Sequence, residues 1–509
     1  MAISLALPAR WTPDLGRTVL PVLVMAGSLF LAMLLGALAA LSGEIAVLTG
    51  VVLVIAALVL VYPRLGVWWM CLLYPLAQLS VMPRQILGLS GLNPPNVLML
   101  ATVCAIVLAW AGARWRNERC QLPPAPRPLL WLYVLPIGLG MLHGIPSVPL
   151  IAEYYYQIKA VAFDSASTYA RDVFVRPMLE VLFALMVAMV FRDARRPRYL
   201  LTPVVLSGWL LCGLIVMVVT LSGFDLAALS STHNRETLSG LGMHANELSL
   251  MLNSVLAITL FSARGATGWV RLLLAVSAAM FASCVVLTFS RGGFLGLGLV
   301  FLAFMFRSAS VRAWLGSLLL AALVLVLMPS AAWDRMFLGF DSGDRSAMSA
   351  GRMTDIWPHL INIFLESPLI GHGLHGILWS TPARQGVLSV AQAHNAYLGL
   401  LVELGVAGFL AVIGFHIWAW RQIRAASAAV PQAFDREMLA GCAVTVLLLF
   451  VQGMSDDRFT PTVPQTFMWF AIGAGLGTRL RRHRRGGGRK RAAARQQRPA
   501  LNEVGHAAR

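Results

Sequence analysis

Residues 394–420 read HNAYLGLLVELGVAGFLAVIGFHIWAW, a polar pair followed at once by a long apolar run. About 20 apolar residues in helical form span the hydrocarbon core of a bilayer. The stretch therefore predicts a membrane-spanning helix that begins beside a titratable imidazole. A histidine at the edge of a membrane is costly to keep there, which makes His394 a candidate functional residue.

The composition extends this prediction to the whole chain. Hydrophobic residues make up 58% and charged residues 12% of 509 residues, too few charges to cover a water-soluble protein. We predict an all-α, polytopic integral membrane protein with about 12 to 14 transmembrane helices. The apolar runs fall near residues 19–42, 45–62, 67–81, 97–113, 129–144, 177–191, 200–223, 248–263, 270–289, 294–306, 313–328, 397–420, 438–452 and 463–480.

The loop charges orient these runs, because Lys and Arg are retained on the cytoplasmic side. Arginine-rich connections alternate with arginine-poor ones, and the segment from Arg479 to Arg498 holds ten of the forty Lys and Arg. This pattern predicts that both termini are cytoplasmic, and the basic tail is explained by anionic lipids without any nucleic-acid partner. The largest loop on the opposite, external side is then 329–396.

The external loops nevertheless keep arginines on the disfavoured side, which indicates an anionic partner. Guanidinium grips phosphate oxygens in a bidentate manner, so a lipid-linked diphosphate is a suitable partner. The alternative is pairing with neighbouring acids, which we favour for Arg171 beside Asp172 and for Arg458 beside Asp456 and Asp457. The ten arginines are Arg84, Arg171, Arg176, Arg235, Arg291, Arg335, Arg345, Arg352, Arg384 and Arg458.

Two of these arginines have the strongest sequence context. Arg291 lies in a very short turn between apolar runs, with no acid within ten residues, although its side chain could also reach lipid phosphate. Arg352 begins a segment in which apolar residues recur at helical spacing, which predicts an amphipathic helix lying on the membrane surface. Its apolar positions are Met353, Ile356, Trp357, Leu360 and Phe364.

His394 is the candidate for proton transfer, since imidazole has an unperturbed pKa near neutral pH. Asn395 is a candidate for orienting the imidazole or a sugar. The alternative for His394 is that it caps the following helix. A zinc site made of His372, His375 and His394 is disfavoured because the glycines between them provide no rigid helical face.

Three motifs in order resemble the O-antigen ligase and polymerase superfamily. They are Ser290-Arg291-Gly292-Gly293 after an apolar run, Gly351-Arg352 with Gly371-His372-Gly373 in the external loop, and His394-Asn395, nine residues, then Gly405-Val406-Ala407-Gly408. Residues 240–250, with Asn246, resemble a further glycine and asparagine segment of that family. The resemblance covers residues 240–420 and implies a GT-C-like membrane fold with the site outside the bacterial inner membrane.

By this resemblance the protein is a metal-independent, inverting glycosyltransferase that needs no cofactor. It implies that Arg291 and Arg352 hold the diphosphate of a polyprenyl-linked glycan donor while His394 assists an acceptor hydroxyl, with Arg171, Arg176, Asn246 and Asn395 as substrate-binding candidates. Lipid A core as acceptor would make it a ligase, which the spacing favours; a second lipid-linked repeat would make it an O-antigen or exopolysaccharide polymerase. A lipid-linked oligosaccharide transporter is the alternative of another class.

The domain boundaries follow from the same resemblance. We expect N-terminal transmembrane helices over 1–239, a ligase-like core over 240–420, C-terminal transmembrane helices over 421–480, and a basic cytoplasmic tail over 481–509. The external loop 329–396 belongs to the core.

Overall fold

A computed structural model of the chain describes residues 50, 54–82, 85–86, 89–90, 93–117, 122, 125–158, 160–194, 196–221, 238–307, 314–315, 330–340, 343–455 and 458–482. The spans predicted at 19–42 and 313–328, almost all of the basic tail, and Arg84 and Arg235 lie outside these residues.

The described residues are almost entirely helical. The one sheet among them is an antiparallel hairpin of Gln85–Ile86 and Leu89–Ser90. The longer helical segments are Pro63–Leu73, Pro94–Trp115, Arg127–Leu150, Ala166–Asp193, Pro197–Leu221, Ala245–Gly265, Gly268–Leu287, Arg291–Arg307, Ala396–Ala429, Ala433–Gln452 and 466–482. The shorter ones are Glu153–Gln157, Ser330–Phe337, Arg345–Ser349, Arg352–Ile356, Trp357–Glu366, Gly376–Trp379 and Thr381–Arg384.

Seven helices in the described part of the chain are long and apolar enough to cross a membrane. Each of them coincides with a predicted apolar run. They are Pro94–Trp115, Arg127–Leu150, Ala166–Asp193, Pro197–Leu221, Ala245–Gly265, Gly268–Leu287 and Ala396–Ala429. The apolar runs predicted at 294–306, 438–452 and 463–480 are helical as well. The structure therefore supports the prediction of a helical polytopic membrane protein, because it contains several helices that could span a membrane.

The chain divides into two compact units, Met1–Met70 with Met82–Cys120, and Cys71–Val81 with Gln121–Arg509. The first contains the helix Pro94–Trp115, in which Asn93 caps the N-terminus by accepting a hydrogen bond from the amide of Asn96. The second contains every candidate site residue that the structure describes. Its central helix is Ala245–Gly265, and protein buries 83% of the most apolar 18-residue stretch of this helix.

Charged residues gather at one end of this second unit, around Glu437. Its carboxylate oxygens lie 3.1 Å from a terminal nitrogen of Arg307, 3.6 Å from Nε of Arg436 and 3.8 Å from a terminal nitrogen of Arg264. These four residues form the Glu437 cluster. The carboxylate is 7% exposed and lies among three guanidinium groups at the ends of three different helices.

The large loop predicted between two spans is folded, with a hydrophobic core of its own. Leu360 and Ile363 are fully buried with Ile377, Leu388 and Val402. Tyr155, from the preceding loop, donates a hydrogen bond to the carbonyl of Leu388 at 2.8 Å. The loop is therefore a packed cap on the helices rather than an unstructured connection.

The amphipathic helix predicted in this loop exists, but its expected orientation was wrong. A turn of π-helix, Arg352–Ile356, leads into the α-helix Trp357–Glu366, and Pro358 falls in the first turn, where proline is tolerated. Leu360 is fully buried in the loop core, with Ile356, Trp357 and Phe364 packed against that core. Four of the five apolar positions predicted to face a membrane therefore pack against protein, whereas Met353 is 49% exposed.

Candidate functional site

The helix Ala396–Ala429 is broken at Gly405, where φ is 62° and ψ is −172°. We call it the broken helix. A break frees backbone groups that the helix would otherwise pair, and the external loop pairs them here. The amides of His372 and Gly373 donate to the carbonyls of Val402 and Glu403, both at 2.9 Å, and the amides of Val406 and Ala407 donate to the carbonyls of Pro368 and Leu369.

This close approach explains two glycines of the family-like motifs. A Cβ at Gly405 would lie 2.3 Å from the carbonyl carbon of Leu369, and a Cβ at Gly371 would lie 2.5 Å from the carbonyl carbon of Glu403. Both glycines also have positive φ. Only glycine satisfies the conformation and the space together, so the motifs encode the junction between loop and broken helix.

His394 is held from both sides at the start of the broken helix. The indole nitrogen of Trp357 donates to the carbonyl of Ala393 at 3.1 Å, and the amide of Ala396 donates to the carbonyl of Gly453 at 2.7 Å. His394 itself adopts the left-handed conformation, with φ of 50°. Its half-buried side chain is thus aimed by fixed backbone on either side.

Asn395, rather than His394, caps the broken helix. Its side-chain oxygen accepts from the amides of Tyr397 and Leu398 at 3.0 and 3.1 Å, and its nitrogen lies 3.5 Å from the carbonyl of Met454. The alternative in which His394 caps this helix was therefore wrong. Asn395 therefore satisfies orphan amides of the first turn of this helix.

A cleft that is partly open to solvent lies against this helix start. We call it the His394 cleft. Its polar wall brings together a histidine, an amide, a carboxylate and a guanidinium. Its lining residues are Ile377, Gln392, Ala393, His394, Asn395, Ala396, Gly399, Leu400, Glu403, Arg458, Phe459 and Thr460.

Two residues of the cleft wall, Arg458 and Glu403, are connected through His375, which lies behind the wall. A terminal nitrogen of Arg458 lies 2.8 Å from Nε2 of His375, and the amide of His375 donates to Oε1 of Glu403 at 3.0 Å. Burial first, and then the positive charge of Arg458, hold the pKa of His375 well below its usual value. His375 is therefore a neutral ring in this arrangement.

Arg352 reaches the same region through the turn that follows the helix Ala433–Gln452. It donates a hydrogen bond to the carbonyl of Ser455, two residues beyond the Gly453 carbonyl that receives the Ala396 amide. The 452–455 turn thus connects Arg352 to the start of the broken helix.

Arg291 begins the helix Arg291–Arg307 and contacts the external loop. Its guanidinium donates to the carbonyls of Leu338 and Met348. The next residue, Gly292, packs on the 452–455 turn, since a Cβ there would lie 2.4 Å from Oγ of Ser455. Arg291 is half-buried, so its side chain lies between helix and loop.

Asn246 belongs to the support of this region rather than to the wall of the His394 cleft. Its side-chain oxygen accepts from Oγ of Ser290 at 2.7 Å, directly before Arg291. Buried Gln452 donates to the carbonyl of Gly292 at 3.0 Å and so continues the polar seam to the 452–455 turn. Asn246 therefore supports the start of the helix that carries Arg291.

Arg171 and Arg176 lie elsewhere. Both pair with Asp172, each at 2.9 Å, and their side chains are 47% and 46% exposed. The pairing expected for Arg171 is confirmed, and neither arginine lines the His394 cleft.

Sequence reasoning missed the role of three residues at the cleft. The structure places the side chain of Arg458 against His375. The pairing expected with Asp456 and Asp457 stays a prediction, because both acids lie outside the described residues. Glu403 carried a signal that could have identified it, because an acid within an apolar run is costly to bury without a partner. His375 carried none beyond its neighbouring glycines.

The described residues contain no group of three or more His, Cys, Asp or Glu side chains placed to hold a metal ion. Two of the three histidines considered for zinc have other neighbours: Nε2 of His372 lies 2.7 Å from the carbonyl of Ile363, and Nε2 of His375 faces Arg458. The arrangement offers instead an imidazole for proton transfer beside fixed cations, which suits a reaction with an anionic leaving group.

Comparison with known proteins agrees with this region. No curated protein matches the chain. The family model described as O-Antigen ligase matches residues 275–413, which include Arg291, Arg352, the external loop and the start and break of the broken helix. Over these residues, the chain is similar to the O-antigen ligase family.

Proposed function

We propose that this protein transfers a glycan from a polyprenyl diphosphate carrier to an acceptor sugar hydroxyl in the assembly of a surface polysaccharide. The observation that carries the proposal is the His394 cleft, where an imidazole fixed at the start of the broken helix faces the same space as Arg458. The match of residues 275–413 to the O-Antigen ligase family model supports the reaction class, a membrane enzyme of the ligase or polymerase type.

The bond changes define the tasks of the site. The acceptor oxygen forms a bond to the anomeric carbon while the bond from that carbon to the phosphate oxygen breaks. His394 takes the proton of the acceptor hydroxyl, and the leaving diphosphate keeps the electron pair. Attack on the face opposite the leaving group inverts the anomeric carbon.

Fixed cations stabilise the leaving diphosphate more strongly in the transition state than in the ground state, because its charge grows as the bond breaks. Arg291 and Arg352 are proposed for this task. Both are held by backbone carbonyls, which are neutral acceptors, and both contact the loop or turn around the start of the broken helix. No metal ion or cofactor is required by these bond changes.

The proposed setting is the bacterial inner membrane, with the site facing the periplasm, both termini cytoplasmic, and about 12 to 14 helices in a GT-C-like arrangement. The domain boundaries proposed are 1–239, 240–420, 421–480 and 481–509. The arginines of the Glu437 cluster favour a cytoplasmic position for that end, since Arg is retained there.

We favour lipid A core as the acceptor and therefore a ligase.

The experiment uses purified protein in nanodiscs with a lipid-linked glycan donor and either lipid A core or a second lipid-linked repeat as acceptor. Wild type is expected to give product on lipid A core, with and without a chelator, and His394→Ala to lower the rate by about 10² to 10⁴-fold. Chain growth on the lipid-linked repeat instead would make the protein a polymerase. Equal rates for wild type and His394→Ala would contradict the proposed role of His394.

A further inference from the structure

The guanidinium of Arg458 is fixed at the wall of the His394 cleft from two directions. Its backbone is anchored because buried Gln465 donates a hydrogen bond to the Arg458 carbonyl, while the hydroxyl of Tyr133 donates to the carbonyl of the next residue, Phe459, at 2.7 Å. Its side chain is anchored by the 2.8 Å contact with Nε2 of His375. An arginine held in this way loses little conformational entropy when it binds a ligand.

The chemistry of the contact fixes the state of His375. Arginine only donates hydrogen bonds, so Nε2 of His375 accepts and carries no proton. The ring is therefore neutral and its basic nitrogen is occupied. Of the two histidines at the cleft, His375 positions a cation, and His394 is the one aimed for proton transfer.

Glu403, in the broken helix, is the third residue of the arrangement. Its carboxylate is buried, accepts from the backbone amide of His375 and attracts Arg458 electrostatically. It lies in the broken helix before Gly405, where the helix contacts the loop segment 371–373. A buried carboxylate at this position stabilises a guanidinium that would otherwise be costly to keep at the edge of a membrane.

We propose that Arg458 is a phosphate-binding residue of the His394 cleft and that His375 and Glu403 are positioning residues for it. The ligand is a phosphate group of the donor's diphosphate, which gives the cleft a cation of its own beside the proton acceptor. This inference rests on the proposed function for the identity of the donor. The binding of phosphate at Arg458 can be tested apart from transfer.

The first measurement is the binding of inorganic pyrophosphate to purified full-length protein. Binding is detected as a shift in the temperature of thermal unfolding. Wild type is expected to be stabilised, and Arg458→Gln is expected to weaken pyrophosphate binding by about 10 to 100-fold. Arg384→Gln is the control, because Arg384 is an exposed arginine of the external loop 329–396 that does not line the cleft. His394→Ala is expected to bind pyrophosphate as wild type does.

The second measurement separates positioning from folding. His375→Asn keeps a neutral acceptor, and Asn tolerates the left-handed φ of 62° found at this position. His375→Leu removes the acceptor. At equal amounts of folded protein, we expect His375→Asn to retain pyrophosphate binding within about threefold and His375→Leu to lose most of it. Glu403→Gln keeps an acceptor for the His375 amide but loses the charge. We expect this variant to raise the donor KM more than it lowers kcat.

The outcomes are distinguishable. Wild-type pyrophosphate binding by Arg458→Gln overturns the inference, even if wild type transfers glycan as proposed. Loss of binding in Arg458→Gln, with no transfer by wild type to either acceptor, overturns the proposed function and leaves the phosphate site standing. Equal binding by the two His375 variants overturns the positioning role.

Discussion

The two ends of the larger unit each gather three arginines, but they hold them in opposite ways. In the Glu437 cluster, Arg264, Arg307 and Arg436 surround one carboxylate. At the other end, Arg291 and Arg352 donate to backbone carbonyls and Arg458 to a neutral imidazole.

The difference between the acceptors at the two ends indicates whether an arginine has a structural or a functional role. The carboxylate of Glu437 contacts arginines from the ends of three helices, so the Glu437 cluster joins these helices. A neutral acceptor fixes the direction of the guanidinium without itself adding a negative charge, and Arg458 is in addition attracted by the buried carboxylate of Glu403. The residue type is the same at both ends, and the acceptor decides its use.

The largest expected effect separates the two ends directly. Arg352→Lys keeps the charge but loses the planar fork, and we expect kcat/KM for glycan transfer to fall by about 100-fold or more. Arg307→Lys, in the Glu437 cluster, is the matched control and should keep kcat/KM within about twofold. Both rates are measured per folded protein in nanodiscs. Full activity of Arg352→Lys would remove Arg352 from the proposed site.

The second effect concerns the scaffold that the functional end needs. Gly405→Ala introduces a Cβ 2.3 Å from the Leu369 carbonyl carbon at a positive φ, and we expect it to lower the free energy of unfolding by about 2 kcal/mol. Gly414→Ala, in the same helix and with no atom within 4 Å of its added Cβ, should be neutral or slightly stabilising. Unfolding in detergent micelles measures both, and equal stability of the two variants would contradict the rigid junction.

A smaller effect is expected at the Glu437 cluster. Glu437→Gln leaves three arginines without their carboxylate, and since their side chains are partly exposed, we expect a loss of about 1 kcal/mol in the free energy of unfolding. The transfer rate per folded molecule should stay unchanged. A large fall in that rate, at normal stability, would show that this end also serves the reaction.

The smallest effect is a pH dependence of stability from His375. Its folded-state pKa lies below the unfolded value of about 6.5, so below that pH the unfolded state binds a proton that the folded state refuses. Stability from this group is therefore present above pH 6.5 and lost as the pH falls. Between pH 7.5 and 6.5 we expect wild type to lose about 0.4 kcal/mol more than His375→Asn, measured by unfolding at the two pH values. Arg458 contacts this ring, and Glu403 accepts a hydrogen bond from the backbone amide of His375.

Much of the helical framework could be predicted from the sequence, because apolar runs of spanning length have few other stable structures in a bilayer. The motifs also identified His394, Arg291 and Arg352 as candidates, and the structure links Arg352 to the start of the broken helix. The role of Arg458 could not be predicted, because its neighbours in the chain are acids while its partner in space is 83 residues away. The orientation of the helix Trp357–Glu366 was missed because helical periodicity reveals an apolar face without saying whether lipid or protein covers it.

A break in a helix is usually interpreted as a flexible hinge. At Gly405, however, four backbone hydrogen bonds join the broken helix to the external loop. Amide hydrogen exchange should reflect this: the amides of His372, Gly373, Val406 and Ala407 should be protected together, although two of them belong to a loop. The nine residues from Ala396 to Leu404 then move with the loop as one body. Anything that displaces the loop also carries the helix start beside His394 with it.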